Sequence, residues 1–264
     1  MKEIFDVRRF GKYFRFDLSN AYSNYGFSTW MLGCLPLVVF AADLMVSLIF
    51  RGRVSTFPAE VYSALPYVVM IVVCWGAGAK IWGGVTDCRK GTEWITVPAS
   101  PMEKTLSLLL VSCVVLPLVV LLLLTLSNWI LSFLLKDFTA VIPFSSAFAL
   151  AELPEGNLVN MPLILWLNWC ENILFFTLGA LCFKRGKVGK SFLCLMGLGF
   201  LLSILMMLFF HTTQFSGDWL EHLLESFDAQ KVQLWMNVVL NLIYLVFLGG
   251  LIALIWARIK TIKA

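Results

Sequence analysis

The chain has 264 residues, of which 60% are hydrophobic and only 14% are charged. This composition lies outside the range of ordinary soluble domains, and a net charge of +4 is too small to indicate a nucleic-acid partner. The apolar runs are long and continuous, and lipid offers no partner for exposed backbone groups. We therefore expect an all-α, polytopic membrane protein rather than a β-barrel.

The first 28 residues predict a cytoplasmic amphipathic entry helix, because aromatic and basic side chains alternate there. A basic helix of this kind lies in the inner headgroup layer of a membrane. The alternative is a solvated cationic tail that only sets the topology, and the aromatic content favours the interfacial helix. The side chains concerned are Phe5, Arg8, Arg9, Phe10, Lys12, Tyr13, Phe14, Arg15 and Phe16.

The rest of the chain, residues 29–264, predicts a domain of six transmembrane helices. Each apolar segment has about the 20 residues that a helix needs to cross a bilayer, or more. The third exceeds one crossing, which predicts a tilt or a kink at Pro117. The first starts too far along the chain for a cleaved signal peptide. The segments are 29–50, 62–86, 105–135, 161–183, 191–211 and 232–257.

The distribution of basic residues predicts that both termini are cytoplasmic. All but four of the 20 Lys and Arg residues fall on the side that holds the termini, which the positive-inside rule assigns to the cytoplasm. The four on the other side are Arg51, Arg53, Lys136 and Lys231.

The predicted outer loops contain two apolar stretches. Residues 138–151 are too short to cross a bilayer and are expected to be interfacial or re-entrant. In the loop 212–231, Leu220, Leu223, Leu224 and Phe227 follow the spacing of a one-sided helix. Such a helix either caps an exit path or only packs on the outer ends of its neighbours.

Small residues in two predicted spans indicate close helix contacts. Gly76 to Ala79 lie in the second span, and Gly249 and Ala253 are four residues apart in the sixth. These contacts are either intramolecular or part of a dimer seam. None of the seven cysteines lies in a predicted outer loop and no CxxC spacing occurs, so we expect no structural disulfide and no metal site.

The sequence predicts no catalytic or nucleotide site. The run from Gly186 to Ser191 ends in Gly-Lys-Ser, as a phosphate-binding loop does, but Lys184 stands where that pattern requires glycine. A predicted helix also precedes it, whereas the phosphate-binding loop follows a strand. We therefore expect no enzymatic activity and no cofactor in this chain.

Polar side chains inside the predicted spans are candidates for a transport path. Asp43 lies in the first span, and Asn168, Glu171 and Asn172 lie in the fourth. An ionisable group in hydrocarbon costs several kcal/mol and must find water or a partner. The alternatives are a transport path or proton site, and an interhelical hydrogen bond or a position near the outer interface. For Asp43 the two alternatives weigh equally. Glu171 and Asn168 lie deeper in their predicted span, which favours a transport path or proton site there.

The polar break at 87–104 is the most informative segment of the chain. It ends in a strong helix-start signal, with Ser100 at the N-cap, Pro101 at the first helical position and Glu103 at the third. A short charged element is thus expected to be held rigidly at the base of the third span, where a soluble partner can push on it.

Residues 97–104, Val-Pro-Ala-Ser-Pro-Met-Glu-Lys, resemble the Leu-Pro-x-Ser-x-x-Glu-Lys/Arg run of ABC-2 type (type V exporter) permease subunits. Val97 stands where leucine is common. The run Phe10-Gly11-Lys12-Tyr13-Phe14 also resembles that family's entry helix. The resemblance in topology covers nearly the whole chain, whereas the sequence motif is short.

The resemblance implies a transport subunit in a bacterial inner (cytoplasmic) membrane. Two permease subunits, either two copies or a copy and a paralogue, would pair with two cytoplasmic ATPase subunits that bind ATP and Mg. The loop 87–104 would be the cytoplasmic coupling element, and the cargo would be amphipathic or apolar. The implied coupling residues are Arg89, Lys90, Glu93, Trp94, Ile95, Ser100, Glu103 and Lys104.

Two other classes remain open on the sequence. One is a secondary transporter or channel that works without ATP through Asp43 and Glu171. The other is a membrane assembly or sensory scaffold. Secondary transporters often contain internal repeats, and residues 1–130 show no similarity to residues 131–264. An ATPase encoded in the adjacent reading frame would favour the permease.

Overall fold

The computed structural model describes residues 5–51, 59–86, 94, 96–134, 151–152, 158–159, 161–212 and 229–262. In this part of the chain almost every regular element is helical, which confirms the all-α class. The exception is a short antiparallel pair, β1 (Ala151–Glu152) with β2 (Leu158–Val159). The helices are α1 (Val7–Ala21), α2 (Phe27–Gly33), α3 (Leu35–Arg51), α4 (Ala59–Trp82), α5 (Pro101–Leu110), α6 (Leu116–Leu134), α7 (Met161–Cys182), α8 (Lys187–Thr212) and α9 (Ala229–Ile262).

Helices lie at all six positions where spans are predicted. Among the described residues, four stretches are long and apolar enough to cross a membrane, and a bent pair of helices would make a fifth. The chain is therefore a helical, multi-pass membrane protein, and the count of six spans stays a prediction. The four stretches are Ala64–Thr86, Pro101–Leu134, Lys187–Leu205 and Asn241–Ile262.

The entry helix and the start of the first predicted span form one continuous helical segment. A five-residue π-helical turn, Tyr22–Gly26, joins α1 to α2, so no break occurs near residue 28. The helix bends by 48° only at Cys34, where α2 ends. Pro36 explains this position, because proline has no N–H to donate and its ring crowds the carbonyl group one turn earlier.

The third predicted span is also interrupted by a π-helical turn. The turn Val111–Val115 joins α5 to α6, and Pro117 is the second residue after it. A widened turn accommodates proline because the proline nitrogen cannot take part in the regular α-helical hydrogen bonding. The predicted disturbance at Pro117 thus takes the form of a π turn on its N-terminal side.

The core is built around α7, which packs against α4, α8 and α9. Its Ile173, Leu174 and Leu181 are fully buried. Gly78 on α4 permits a close approach, since a Cβ atom there would lie 2.7 Å from Thr177 Oγ1 and 2.8 Å from the Thr177 backbone nitrogen. For Gly78, the small-residue contact is therefore intramolecular.

Replacing Gly78 with alanine is expected to lower the free energy of unfolding by about 1–3 kcal/mol, the usual cost of overpacking. The added methyl group meets the Thr177 backbone nitrogen as well as the Thr177 hydroxyl oxygen, so a rotation of the threonine side chain does not relieve the contact and the helices must separate. The measurement is thermal unfolding in detergent micelles. Gly197→Ala on α8 is the matched control, because no described atom lies within 4 Å of a Cβ there. Equal melting temperatures for the two variants would contradict the α4–α7 contact.

Candidate functional site

The predicted helix-start signal is present at α5. The Ser100 hydroxyl oxygen accepts a hydrogen bond from the Glu103 backbone N–H at 3.3 Å, and Glu103 Oε2 accepts one from the Ser100 backbone N–H at 2.8 Å. These two bonds form a capping box, with Pro101 at the first helical position. The capping box fixes the angle at which the polar segment enters the helix.

The Glu103 carboxylate also binds the N-terminal helix. Its side chain is fully buried and accepts hydrogen bonds from the Asp6 backbone N–H at 3.0 Å and from Arg9 Nη2 at 2.7 Å. Arg9 Nε lies 2.9 Å from Oε2, so the guanidinium engages both carboxylate oxygens, the strongest geometry for such a pair. We call Asp6, Arg9, Ser100 and Glu103 the Glu103 network.

A second buried polar contact joins the same two helices further along. Asp17 on α1 and Ser107 on α5 are both fully buried. The Ser107 hydroxyl donates to Asp17 Oδ2 at 2.5 Å. Together with the Glu103 network, this contact holds α1 against α5 over several turns. The two helices are thus joined by specific polar bonds rather than by apolar packing alone.

Lys104 fastens the end of the polar segment to α5. Its side chain is 1% exposed, and its Nζ donates to the Trp94 carbonyl oxygen at 2.7 Å. The same Nζ lies 4.2 Å from the centre of the Trp94 ring, within the range of a cation–π contact. Trp94 is itself buried. Trp94 is therefore held to the base of α5.

The structure gives four of the implied coupling residues a positioning role. Trp94, Ser100, Glu103 and Lys104 are buried and bonded within the protein, so their side chains are not presented to a soluble partner. The other four, which are Arg89, Lys90, Glu93 and Ile95, lie outside the described residues. So do most of the loop 212–231 and all of the segment 138–151 except Ala151.

Two important members of the site were not singled out from the sequence. The sequence indicates Arg9 only as one of several basic residues of the amphipathic entry helix and of the predicted cytoplasmic side, and it does not single out Asp17. The available signal was that Asp17 is an acid within a strongly basic segment. Asp17 also lies on the buried face of α1, four residues from both Tyr13 and Ala21, which likewise indicates that its side chain belongs to the site.

The intramembrane candidates fall into two separate groups. The Tyr62 hydroxyl donates to Asp43 Oδ2 at 2.9 Å, and both side chains are buried. Asp43 therefore makes the interhelical hydrogen bond that was one of its two interpretations. On α7, the Asn172 side-chain amide donates to the Asn168 carbonyl oxygen at 2.8 Å and to its side-chain oxygen. Glu171 is partly exposed beside them.

The run from Gly186 to Ser191 begins in the short connection between α7 and α8, and its residues from Lys187 onward form the first turn of α8. Gly186 adopts a φ of 65°, a conformation that glycine tolerates well. The Lys187 ammonium group donates to the Gly83 carbonyl oxygen, and Arg258 Nε donates to the Leu181 carbonyl oxygen at 3.2 Å. Both cations thus cap carbonyl groups at the C-terminal ends of helices.

These features define a helical multi-pass membrane protein in which an ion pair with a buried carboxylate joins the N-terminal helix to the base of the third predicted span. In the part of the chain that the structure describes, no group of three or more His, Cys, Asp and Glu side chains could hold a metal ion. Comparisons with protein-family models, with curated proteins and with solved structures give no match for this chain.

Proposed function

We propose that this chain is the membrane-spanning permease subunit of an ABC-2 type exporter, driven by a separate cytoplasmic ATPase that binds ATP and Mg. The observation that carries the proposal is the Glu103 network. One buried carboxylate joins the polar segment, the third predicted span and the entry helix. A subunit driven from outside needs a rigid connection of this kind at the place where force enters.

Force would pass along a continuous chain of contacts. A partner pressing on residues 87–93 would move Trp94, which Lys104 holds to α5. The α5 helix continues through its π turn into α6, so the movement would reach the membrane interior. Arg9 and Asp17 would carry α1 along with α5. The entry helix and the third span would thus respond to the ATPase as one body.

The proposal includes the partners and the cell location. The subunit would work as a dimer with a second copy or a paralogue, in the bacterial inner membrane and with both termini in the cytoplasm. Its cargo would be amphipathic or apolar, because few charged groups lie within the predicted spans. The alternative of an ATP-independent path through Asp43 is less favoured, since Asp43 already accepts a hydrogen bond from Tyr62.

The test is co-expression with the ABC ATPase encoded in the adjacent reading frame, followed by affinity purification from membranes. We expect the ATPase to co-purify with this chain and its hydrolysis rate to rise. Single replacements Glu93→Ala, Trp94→Ala and Glu103→Ala should each lower co-purification or stimulation several-fold. Lys184→Ala, in another predicted cytoplasmic loop, is the control and should leave both unchanged.

Three outcomes would overturn the proposal. The first is the lack of any ABC ATPase beside the gene. The second is normal assembly and turnover in all three variants. The third concerns orientation, because the polar segment must face the cytoplasm. Labelling of Cys88 by a membrane-impermeant maleimide applied to intact cells would place the segment on the wrong side.

A further inference from the structure

An open apolar groove lies between α5 and α9, close to the start of α1. Its volume is about 490 Å³. Leu106 and Leu109 form one wall, Gly249 and Ala253 form the other, and Phe5 lies at its end. The groove is separate from the Glu103 network, whose polar atoms do not line it.

The α9 wall of the groove is kept open by small side chains. Gly249 and Ala253 are four residues apart and therefore lie on one face of the helix. A Cβ atom added at Gly249 would have no described atom within 4 Å. Unlike Gly78, Gly249 thus makes no close contact with another described helix, and its lack of a side chain leaves space for something else.

A cation lies beside the groove at the C-terminal end of α9. Trp256 lines the groove, and Lys260 Nζ lies 5.3 Å from the centre of the Trp256 ring. Lys260 is exposed, so its charge is available to a ligand. In a membrane, tryptophan lies at the level of the headgroups, and basic residues near the cytoplasmic surface attract anionic lipids.

We propose that this groove binds an acyl chain of an anionic phospholipid from the inner leaflet, with the lipid phosphate on Lys260. The apolar walls match the chain, and the ammonium group matches the charge of the phosphate. A second copy of the protein fits less well. Two concave surfaces related by a twofold axis would leave a void between them, and would bring like charges together.

The experiment is native mass spectrometry on delipidated protein, titrated with phosphatidylglycerol or with phosphatidylcholine carrying the same acyl chains. We expect phosphatidylglycerol to bind about tenfold more tightly, equivalent to about 1.4 kcal/mol. Lys260→Gln should remove this preference. Gly249→Trp should weaken the binding of both lipids about tenfold or more, because the indole fills the groove. No ATPase is needed, so this result and the proposed function can fail independently.

Matched controls separate the groove from the general membrane surface. Lys184→Gln removes an exposed cation elsewhere on the predicted cytoplasmic side, and Gly197→Trp adds an indole to the open face of α8. Both should leave lipid binding unchanged. If circular dichroism shows that Gly249→Trp does not fold, Gly249→Leu takes its place. That variant should also weaken the binding of both lipids, but by a smaller factor.

Three results would overturn the inference. One is equal lipid binding by Lys260→Gln and Lys184→Gln. Another is undiminished phosphatidylglycerol binding when Gly249 carries the larger side chain. The third is a loss of dimer mass with unchanged lipid binding in the Gly249 variant, which would identify a second copy as the occupant.

Discussion

Replacing Glu103 with alanine is expected to lower the free energy of unfolding by about 3 kcal/mol, the range for breaking a buried ion pair from one side. The change leaves the Asp6 and Ser100 backbone N–H groups without their acceptor and removes the ion pair of Glu103 with Arg9. Because Arg9 is 40% exposed, water solvates its guanidinium group in the variant and offsets part of the lost ion-pair energy. The measurement is chemical unfolding in detergent micelles, with tryptophan fluorescence as the signal.

A double-mutant cycle identifies which part of the effect belongs to the ion pair. Arg9→Met and Glu103→Ala should show a coupling energy of about 1–3 kcal/mol, as contacting residues do. Arg8→Met is the matched control, since the exposed neighbour Arg8 makes no side-chain bond to Glu103 among the described contacts. If Arg8→Met and Arg9→Met destabilise the protein equally, the Glu103 network does not hold α1 to α5.

Replacing Lys104 with methionine is expected to lower the free energy of unfolding by about 2–4 kcal/mol. The variant leaves the buried Trp94 carbonyl group without its donor, which costs about 1–3 kcal/mol. Burial raises the pKa of the Asp17 carboxyl group to about 7, and the variant also removes the positive charge of Lys104, which favours the ionised form of that group. Methionine fills nearly the same volume, so a packing defect does not account for the loss. Thermal unfolding in micelles measures it.

The charge contribution of Lys104 can be isolated with a second substitution. In Lys104→Met with Asp17→Asn, neither buried charge remains, so the double variant should be less destabilised than the sum of the two single variants. Lys80→Met, which removes an exposed lysine from α4, should change stability by less than about 0.5 kcal/mol. Strict additivity of Lys104→Met and Asp17→Asn would show that the two groups do not interact.

Features set by local spacing were predictable from the sequence. The capping box depends on Ser100 and Glu103 being three residues apart, and the structure contains both of its hydrogen bonds. The positions of the helices were equally predictable from the sequence. A long continuous apolar run in lipid has few structures open to it other than a spanning helix. The bend at Cys34 was missed although Pro36 was visible, because the surrounding run is apolar without interruption.

Contacts between distant segments were not predictable in this way. Arg9 and Glu103 are 94 positions apart, and nothing in either local pattern indicates the other. Trp82 shows the same limit. A tryptophan near the end of a predicted span is typical of the aromatic belt at a membrane interface, but Trp82 is 1% exposed and donates a hydrogen bond to the Ser112 hydroxyl at 3.0 Å. Hydropathy indicates how deep a residue lies, and it does not indicate which neighbour it faces.

The two π-helical turns lie opposite each other. Residues of both, including Tyr25 and Val111, line one small apolar cavity of about 110 Å³. Each helical residue advances the direction of the side chains by about 100°. The number of residues between Glu103 and α6 therefore sets the direction in which the Glu103 side chain points relative to α6. A single deletion in the regular α-helical part of α5 after Glu103, within residues 104–110, would rotate Glu103 by about 100° relative to α6 and so away from Arg9. Insertions and deletions in this short stretch should therefore be far less tolerated than substitutions.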